Sequence, residues 1–251
     1  MAMVAAMCVA LPCCSAQAAP REVHVVAAAD LQPVMPVLAQ AYEHATGVKL
    51  VVSFGSSSGL ATQIINGEPT DLFLAADFSF PEKVVAAGLA DEKMPVEYAR
   101  GTLVLWARKD SPLQPLTQNT LVDGKFTSLA IANPEHAPYG RAAVETLNRF
   151  KIYDKVHEKL VVAESVGQAA QFVESGNAQL GMISLTAAST ERFRQDGTYI
   201  LIPPTTYFPL GQCAVVMKKS EHRADAHAFL DWLRSTPIQK NLKQYGLDPA
   251  K

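Results

Sequence analysis

The sequence has few cysteines and no excess of positive charge. Three of its four cysteines lie in the first 19 residues, and Cys213 is the fourth. This pattern excludes a disulfide framework and a Cys-x-x-Cys metal cluster, so we interpret Cys213, just before Ala-Val-Val, as a buried strand residue. The 22 Lys and Arg against 24 Asp and Glu give a net charge of −2, which argues against nucleic acid or an acidic membrane as a partner.

The chain has no apolar run long enough to cross a bilayer. Its first 19 residues lack any charged side chain and contain Ala16-Gln17-Ala18, a small-x-small pattern typical of a secretory signal. We therefore expect residues 1–18 to be a signal peptide that is cleaved after Ala18. Cys13 and Cys14 raise the alternative of lipoprotein cleavage, but Pro12 fits poorly the small residue which that cleavage needs, so export without a lipid is preferred.

A glycine and serine loop, "VSFGSSSGL" at residues 52–60, lies between an apolar run and a helical pattern. A strand, a tight loop and a helix N-terminus form a common anion site in proteins. The loop lacks the Gly-Lys-Ser or Gly-Lys-Thr ending of a nucleotide-phosphate loop. The pattern therefore indicates an anion held by hydroxyls and amides without a lysine.

Strand and helix patterns alternate along the chain. Strands at 23–28, 50–54 and 72–75 are each followed by a helical pattern, which predicts a parallel sheet with helices on both faces. We expect the first helix to run over 31–46 with Asp30 as its N-cap. A second alternation follows from residue 102 onward, so the fold class is α/β with two lobes that face each other across a cleft.

Four strand-to-helix junctions carry the candidate site. In such sheets ligands lie beyond the carboxyl ends of the strands, and helix N-termini there offer free amides and the positive ends of helix dipoles. Because glycine and serine loops are common in α/β proteins, one junction alone is weak support, but four together are persuasive. They are Ala28-Ala29-Asp30, Gly55 to Gly59, Asn133 to Gly140, and Glu164 to Gly167.

The residues give little sign of catalysis or of metal binding. Asp71 and Asp77 have no partner cluster and fit capping and turn roles, while the histidines are scattered without ligand spacing. Ser57 could act as a nucleophile in a secreted serine hydrolase, but the chain shows no Gly-x-Ser-x-Gly elbow with His and Asp in order. We therefore predict no catalytic residue, no metal ligand and no cofactor.

The sequence resembles the periplasmic molybdate-binding proteins of ABC transporters, the ModA family, over essentially the whole chain after residue 18. The resemblance implies a type II periplasmic binding protein fold, in which two doubly wound α/β lobes are joined by two crossing segments with the ligand in the cleft. The motifs that carry it are "AAADLQPVM", "GVKLVVSFGSSSGLATQI", "GEPTDLFLAAD", "NPEHAPYG", "ESVGQA" and "LGMIS".

The resemblance also implies a domain division and a biological role. Lobe 1 comprises residues 19–102 and 209–251, and lobe 2 comprises residues 103–208. The expected protein is a periplasmic monomer that captures molybdate, and tungstate similarly, and delivers it to an ABC transporter permease in the inner membrane. A binder of sulfate, phosphate or another tetrahedral oxyanion is the alternative within the same class, and a regulatory ligand-sensing domain is disfavoured by the lack of a DNA-binding module.

Position by position, the resemblance implies ligand contacts from Asp30 and Ser57 of lobe 1 and from the amides of Tyr139 and Val166 of lobe 2. Two residues depart from the family pattern. Asp30 stands where many members have Ser, and we expect its carboxylate to cap the amide of Gln32 while its own N–H faces the ligand. Ser184 stands where many members have a ligand-binding Tyr, and Tyr139 could close the site instead. Further candidates are Ala29, Ser56 and Ser184.

A ring of uncharged donors suits a fully ionised tetrahedral dianion. Phosphate carries a proton at neutral pH and needs an acceptor in the site, so a ring with donors alone should refuse it. If the Asp30 carboxylate faced the cleft, it could accept that proton. The orientation of this side chain therefore separates a molybdate site from a phosphate site.

Overall fold

The computed structural model describes residues 21–250, so the predicted signal peptide lies outside the described residues. In that range the chain forms two mixed sheets with helices packed on them. The strands are β1 (Arg21–Ala28), β2 (Val48–Gly55), β3 (Leu72–Ala75), β4 (Val96–Gly101), β5 (Leu103–Arg108), β6 (Leu129–Ala132), β7 (Leu160–Ala163), β8 (Leu180–Ser184), β9 (Gly197–Leu201), β10 (Leu210–Val216) and β11 (Asp248–Pro249).

Helices connect most of these strands, and 3-10 turns lie at Ala29–Leu31, His157–Lys159, Pro204–Thr206 and Leu242–Tyr245. The α-helices are α1 (Met35–Thr46), α2 (Ser57–Ile65), α3 (Ser79–Ala86), α4 (Gln118–Val122), α5 (Pro138–Arg149), α6 (Tyr153–Val156), α7 (Val166–Glu174), α8 (Leu185–Ala188), α9 (Glu191–Asp196), α10 (Arg223–Arg234) and α11 (Thr236–Asn241).

The first sheet has the order β11-β4-β10-β3-β1-β2, and the second has the order β7-β6-β8-β5-β9. The predicted parallel pairing is present, since β1 pairs in parallel with both β2 and β3. The prediction was incomplete because β10 returns late in the chain and pairs antiparallel with β3 and β4. The chain passes from the first sheet to the second between Gly101 and Leu103 and returns between Leu201 and Leu210.

The predicted start of the first long helix was wrong. A 3-10 turn covers Ala29–Leu31, and α1 begins only at Met35, with no side-chain cap from Asp30. Pro36 explains the late start, because proline has no N–H to donate to the carbonyl four residues earlier but fits the first turn of a helix. As a result Asp30 lies in a tight turn at the end of β1 and not on a regular helix.

Four strands were not predicted from the sequence, namely β4, β7, β9 and the two-residue β11. Each has partly or fully exposed residues, as in Gly197–Leu201, where one position is buried. A strand at or near a sheet edge lacks the apolar run of a central strand, so its pattern is weak. β4 nevertheless lies next to β10 and carries the buried Tyr98.

The N-terminal turn of α5 lies directly against the end of β6, and this contact depends on Gly140. A Cβ at that position would lie 2.2 Å from the carbonyl oxygen of Ala132 and 2.7 Å from the carbonyl carbon of Asn133. Both neighbours are backbone atoms, which cannot rotate away as a side chain could. The absence of a side chain at Gly140 therefore sets the position of Tyr139, the residue before it.

We expect Gly140→Ala to destabilise the protein by about 1–3 kcal/mol, the usual cost of forcing an extra carbon into a packed site. The matched control is Gly211→Ala, whose Cβ would meet nothing nearer than 3.7 Å. Urea denaturation of both variants measures the difference. Equal free energies of unfolding for the two variants would contradict the packing argument.

Candidate functional site

A small cavity lies between the two sheets, where the carboxyl ends of β1, β2 and β3 face the N-termini of α5 and α7. It contains about 200 Å³ of space between atoms, part of which is open to solvent. Six of the seven sequence-predicted residues line it, and Ser184 does not. The lining residues are Ala28, Ala29, Asp30, Gly55, Ser56, Ser57, Ala76, Ala137, Pro138, Tyr139, Ser165 and Val166.

Three helices of nine or more residues begin at this cavity. Ser57 and Val166 are the first residues of α2 and α7, and Tyr139 is the second residue of α5. Amides in the first turn of a helix have no acceptor within the helix, and the helix dipole adds a partial positive charge there. The structure therefore directs three helix N-termini, one from the first sheet and two from the second, toward the same small volume.

The hydroxyl of Ser57 is buried and fixed in orientation. Its Oγ accepts a hydrogen bond of 3.1 Å from the Ala76 N–H, and only 1% of the residue is exposed. Since this bond uses an oxygen lone pair, the hydroxyl proton remains for an acceptor in the cavity. Ser56 next to it is the N-cap of α2, and its Oγ accepts from the Gly59 N–H at 3.3 Å.

The Asp30 side chain does not cap its own turn, so that expectation was wrong. Its Oδ2 accepts hydrogen bonds from the Tyr139 hydroxyl at 3.2 Å and from Gln212 Nε2 at 2.5 Å. The tight turn that replaces the predicted helix start directs the carboxyl toward α5 and β10. Its other oxygen, Oδ1, is buried and has no hydrogen-bond partner in the described part of the chain.

These hydrogen bonds continue into the first sheet. The Tyr98 hydroxyl donates to Gln212 Oε1 at 3.0 Å, which fixes the Gln212 amide with its Nε2 toward Asp30. Gly101 makes room for this arrangement, because a Cβ there would lie 2.2 Å from the Tyr139 hydroxyl oxygen. Tyr139 is thus placed by its side chain as well as by its helix.

Burial controls the ionisation of Asp30. Its pKa is raised to about 7, because the loss of water around the carboxylate outweighs the hydrogen bonds from Gln212 and Tyr139. The pKa of Tyr139 is raised well above its ordinary value by burial and by the neighbouring Asp30. At neutral pH the cavity therefore contains an Asp30 carboxyl group near the midpoint of its titration and a neutral Tyr139 phenol.

Direct contacts join the residues around the first sheet to those around the second at the edge of the cavity. The guanidinium of Arg141 on α5 lies 2.6 Å from the carboxylate of Asp77, which follows β3. The Ser58 N–H donates to the His136 carbonyl at 3.1 Å, and Ser56 Oγ lies 3.4 Å from Glu164 Oε1. Asp77 also accepts from the Phe80 N–H in the first turn of α3, although the N-cap of that helix is Phe78.

Ser184 belongs to the support of the site and not to its lining. It is the N-cap of α8, and its Oγ accepts from the Ala187 N–H at 3.3 Å. Thr186 Oγ1 lies 2.8 Å from Ser184 Oγ and 2.6 Å from the Asp30 carbonyl oxygen, and its single proton is shared between these two acceptors. These contacts hold the short side chain of Ser184 against α8, which explains why it does not reach the cavity.

The arrangement suits anion binding better than catalysis. Ser57 makes its side-chain hydrogen bond to a backbone amide and not to a histidine, which argues against the hydrolase alternative. Within residues 21–250 no group of three or more His, Cys, Asp and Glu side chains could hold a metal ion. Cys213 is buried on β10, as predicted, and burial raises the pKa of its thiol to about 12.

Sequence reasoning missed four residues of the site and its support, namely Ala76, Tyr98, Arg141 as a partner of Asp77, and Gln212. Ala76 contributes a backbone N–H, which no side-chain pattern reveals. Gln212 did carry a signal, since an amide inside the apolar run Gln-Cys-Ala-Val-Val needs a buried partner. Its partner Asp30 is 182 positions away, so only the tertiary structure identifies it.

We expect Asp30→Asn to stabilise the ligand-free protein in a pH-dependent way. A carboxyl whose pKa is raised from 3.8 to about 7 stabilises the fold below the unfolded pKa, and this contribution is lost as pH rises through the folded pKa. The advantage of Asp30→Asn over the wild type should therefore grow between about pH 4 and pH 7, by roughly 2–4 kcal/mol. Chemical denaturation at several pH values measures it. Asp231→Asn, at an exposed position on α10, is the control, and the same pH profile for both variants would disprove the assignment.

Comparison with known proteins agrees with this geometry. Residues 23–248 match the family "Bacterial extracellular solute-binding protein". The chain is 37% identical to the molybdate-binding protein ModA of Azotobacter vinelandii over 97% of this chain and 96% of that protein, and 33% identical to ModA of Rhodobacter capsulatus over 98% and 93%. The solved periplasmic molybdate-binding protein of Azotobacter vinelandii superposes with a TM-score of 0.85 at 33% identity, covering 91% of this chain and all of that one.

These matches confirm the predicted type II periplasmic binding protein fold and the resemblance on which it was based. They also place the protein among binding proteins and not among enzymes. No helix in residues 21–250 is long and apolar enough to cross a membrane. The chain therefore belongs to the bacterial extracellular solute-binding proteins and, among them, to the ModA family.

Proposed function

We propose that the protein binds molybdate, and tungstate similarly, in the cavity between its two sheets. The observation that carries the proposal is the convergence of three helix N-termini and the Ser57 hydroxyl on one buried volume. Donors of this kind stabilise a dehydrated anion through charge-assisted hydrogen bonds without a fixed cation. The names of the relatives supply the identity of the anion, since several are molybdate-binding proteins.

The ligand contacts in this proposal come from both halves of the molecule. The Ser57 hydroxyl and the N–H groups of Asp30 and Ser57 act from the first sheet, while the N–H groups of Tyr139 and Val166 act from the second. Ala29 and Ser56 shape the wall between them. The Ser184 side chain is left out, because its hydroxyl is used by α8.

The proposed division into lobes follows the two sheets. Lobe 1, residues 19–102 and 209–251, carries the strands of the first sheet, and lobe 2, residues 103–208, carries those of the second. Ligand would stabilise the closed arrangement in which Arg141 meets Asp77, because a ligand shifts the population toward the state it binds better. An ABC transporter permease would then recognise the closed, monomeric form in the periplasm and receive the anion.

One observation favours a second candidate ligand. The unpartnered Oδ1 of Asp30 is a buried acceptor, and a protonated oxyanion such as hydrogen phosphate could donate to it. A site with donors alone would refuse that anion. Phosphate therefore belongs in the first binding experiments, together with sulfate as the smaller dianion.

Micromolar molybdate or tungstate should raise the melting temperature of the purified protein, and equal sulfate should not. A ligand that binds only the native state stabilises it by RT ln(1 + [L]/Kd), which is about 2.7 kcal/mol at a hundredfold excess over Kd. Differential scanning fluorimetry with the four oxyanions provides the measurement. Absence of a shift with both molybdate and tungstate would overturn the proposed function.

Ser57→Ala should weaken molybdate binding by roughly 1–3 kcal/mol, because it removes a donor to a buried anion. Ser58→Ala is the matched control on the same helical turn, since Ser58 contacts His136 through its backbone N–H, which the substitution keeps. Isothermal titration calorimetry compares the two variants. If Ser57→Ala binds as tightly as Ser58→Ala, the hydroxyl of Ser57 is not a ligand contact.

A further inference from the structure

We propose that Asp30 binds the oxyanion as a carboxylic acid, so that capture of a fully ionised oxyanion takes up one proton from solvent. This inference rests on the proposed function, because it concerns the same cavity. It makes Asp30 a specificity-determining residue that converts from an acceptor into a donor.

The two oxygens of the Asp30 carboxyl have different surroundings. Oδ2 accepts hydrogen bonds from the Tyr139 hydroxyl and Gln212 Nε2, both neutral donors. Oδ1 is buried without a partner, on a residue that is 1% exposed and lines the cavity. A proton on this carboxyl therefore belongs on Oδ1, where the resulting O–H can donate to a ligand oxygen.

Among the residues that the structure describes, no cationic side chain contacts the Asp30 carboxylate. Its direct side-chain partners within residues 21–250 are neutral, and burial is the main influence on its pKa. The titratable groups on the surrounding elements are Tyr98 on β4, Tyr139 on α5, Cys213 on β10 and Tyr207, and burial raises the pKa of each. These four groups are therefore neutral when Asp30 changes its charge.

Charged groups farther out are paired with one another. Arg141 faces Asp77, His136 faces Glu164, and Arg100 faces Glu97 on β4. Three further elements pack against the Asp30 turn: Lys49 of β2 pairs with Glu22, Glu174 of α7 pairs with Arg192, and α8 carries no charged residue. His136 is the one histidine among these groups, which makes it the control position.

The balance of charge explains why a proton would be taken up. Without this proton, a dianion would enter a cavity that already holds a buried carboxylate, so that three negative charges would lie among neutral groups. One proton from the buffer, added to Oδ1, leaves the complex with the two charges of the ligand and forms one more hydrogen bond. Each pH unit above the pKa of Asp30 reduces the population of the acid form about tenfold, so protonating the carboxyl costs little free energy near neutral pH. Burying an unpaired carboxylate beside a dianion costs far more free energy.

A protonated oxyanion would behave differently. Hydrogen phosphate brings its own proton and can donate it to Oδ1 of the ionised carboxylate, so its binding needs no proton from the buffer. Comparison of molybdate with phosphate therefore tests where the proton originates. Sulfate also carries no proton but is smaller than molybdate, so its binding shows how strongly the site depends on the size of the anion.

The experiment is calorimetric titration of the whole protein with molybdate at pH 6, 7, 8 and 9, in buffers of different ionisation enthalpy. We expect proton uptake to approach one per ligand at pH 8–9, and Kd to rise about tenfold per pH unit there. Phosphate, if it binds, should show little proton uptake at pH 8–9. Molybdate uptake near zero with a constant Kd across the range would overturn the inference.

Variants separate Asp30 from other sources of pH dependence. Asp30→Asn should retain molybdate binding with a nearly constant Kd between pH 7 and 9 and without proton uptake, because the amide can donate but cannot titrate. His136→Gln should keep the slope of the wild type. A slope that persists in Asp30→Asn, or disappears in His136→Gln, would assign the proton to another group and refute the inference.

Failure of the inference is distinguishable from failure of the proposed function. If molybdate and tungstate bind at no pH, the proposed ligand is wrong. If molybdate binds at pH 6 with an affinity that does not change up to pH 9, the ligand is right and the role of Asp30 is wrong.

Discussion

The hydrogen bonds that meet at Asp30 are the interaction on which the candidate site depends. The Tyr139 hydroxyl donates to Asp30 from α5, which packs on the second sheet, and Gln212 donates to it from β10 of the first sheet. Tyr98 fixes the Gln212 amide, and Gly101 leaves space for the Tyr139 hydroxyl. This buried network joins the two halves at the wall of the cavity, so the geometry of the anion site and the approach of the two sheets are set by the same contacts.

Electrostatics explains why such a site avoids fixed charges. Two unit charges roughly 4 Å apart at an effective dielectric constant of about 20 interact by about 4 kcal/mol, and a dianion doubles this value. A lysine in the cavity would attract every oxyanion by that amount without regard to size. Helix N-termini and hydroxyls give a weaker attraction that depends on position and direction, so discrimination rests on the fit between the donors and a tetrahedral anion.

The same interaction energy between charges makes the buried carboxyl of Asp30 unexpected in a cavity that binds an anion. An ionised Asp30 would oppose a dianion by several kcal/mol, whereas its acid form adds a donor. The family relationship and the three helix N-termini indicate an oxyanion, and the pKa of about 7 leaves both forms of the Asp30 carboxyl populated at neutral pH. Anion binding and protonation therefore become linked within one group of contacts.

Local sequence patterns predict the α/β class and the strand-to-helix junctions, because strand and helix periodicity, N-caps and glycine-serine loops depend on neighbouring residues. The resemblance to the ModA family, and not these patterns, singled out the individual residues of the candidate site, six of which line the cavity. The start of α1, the edge strands, the antiparallel return of β10 and the direction of the Asp30 side chain were decided by the tertiary structure. Each depends on partners distant in sequence or on exact packing, as in the contact of Asp30 with Gln212, 182 positions later, and local patterns carry no information about such contacts.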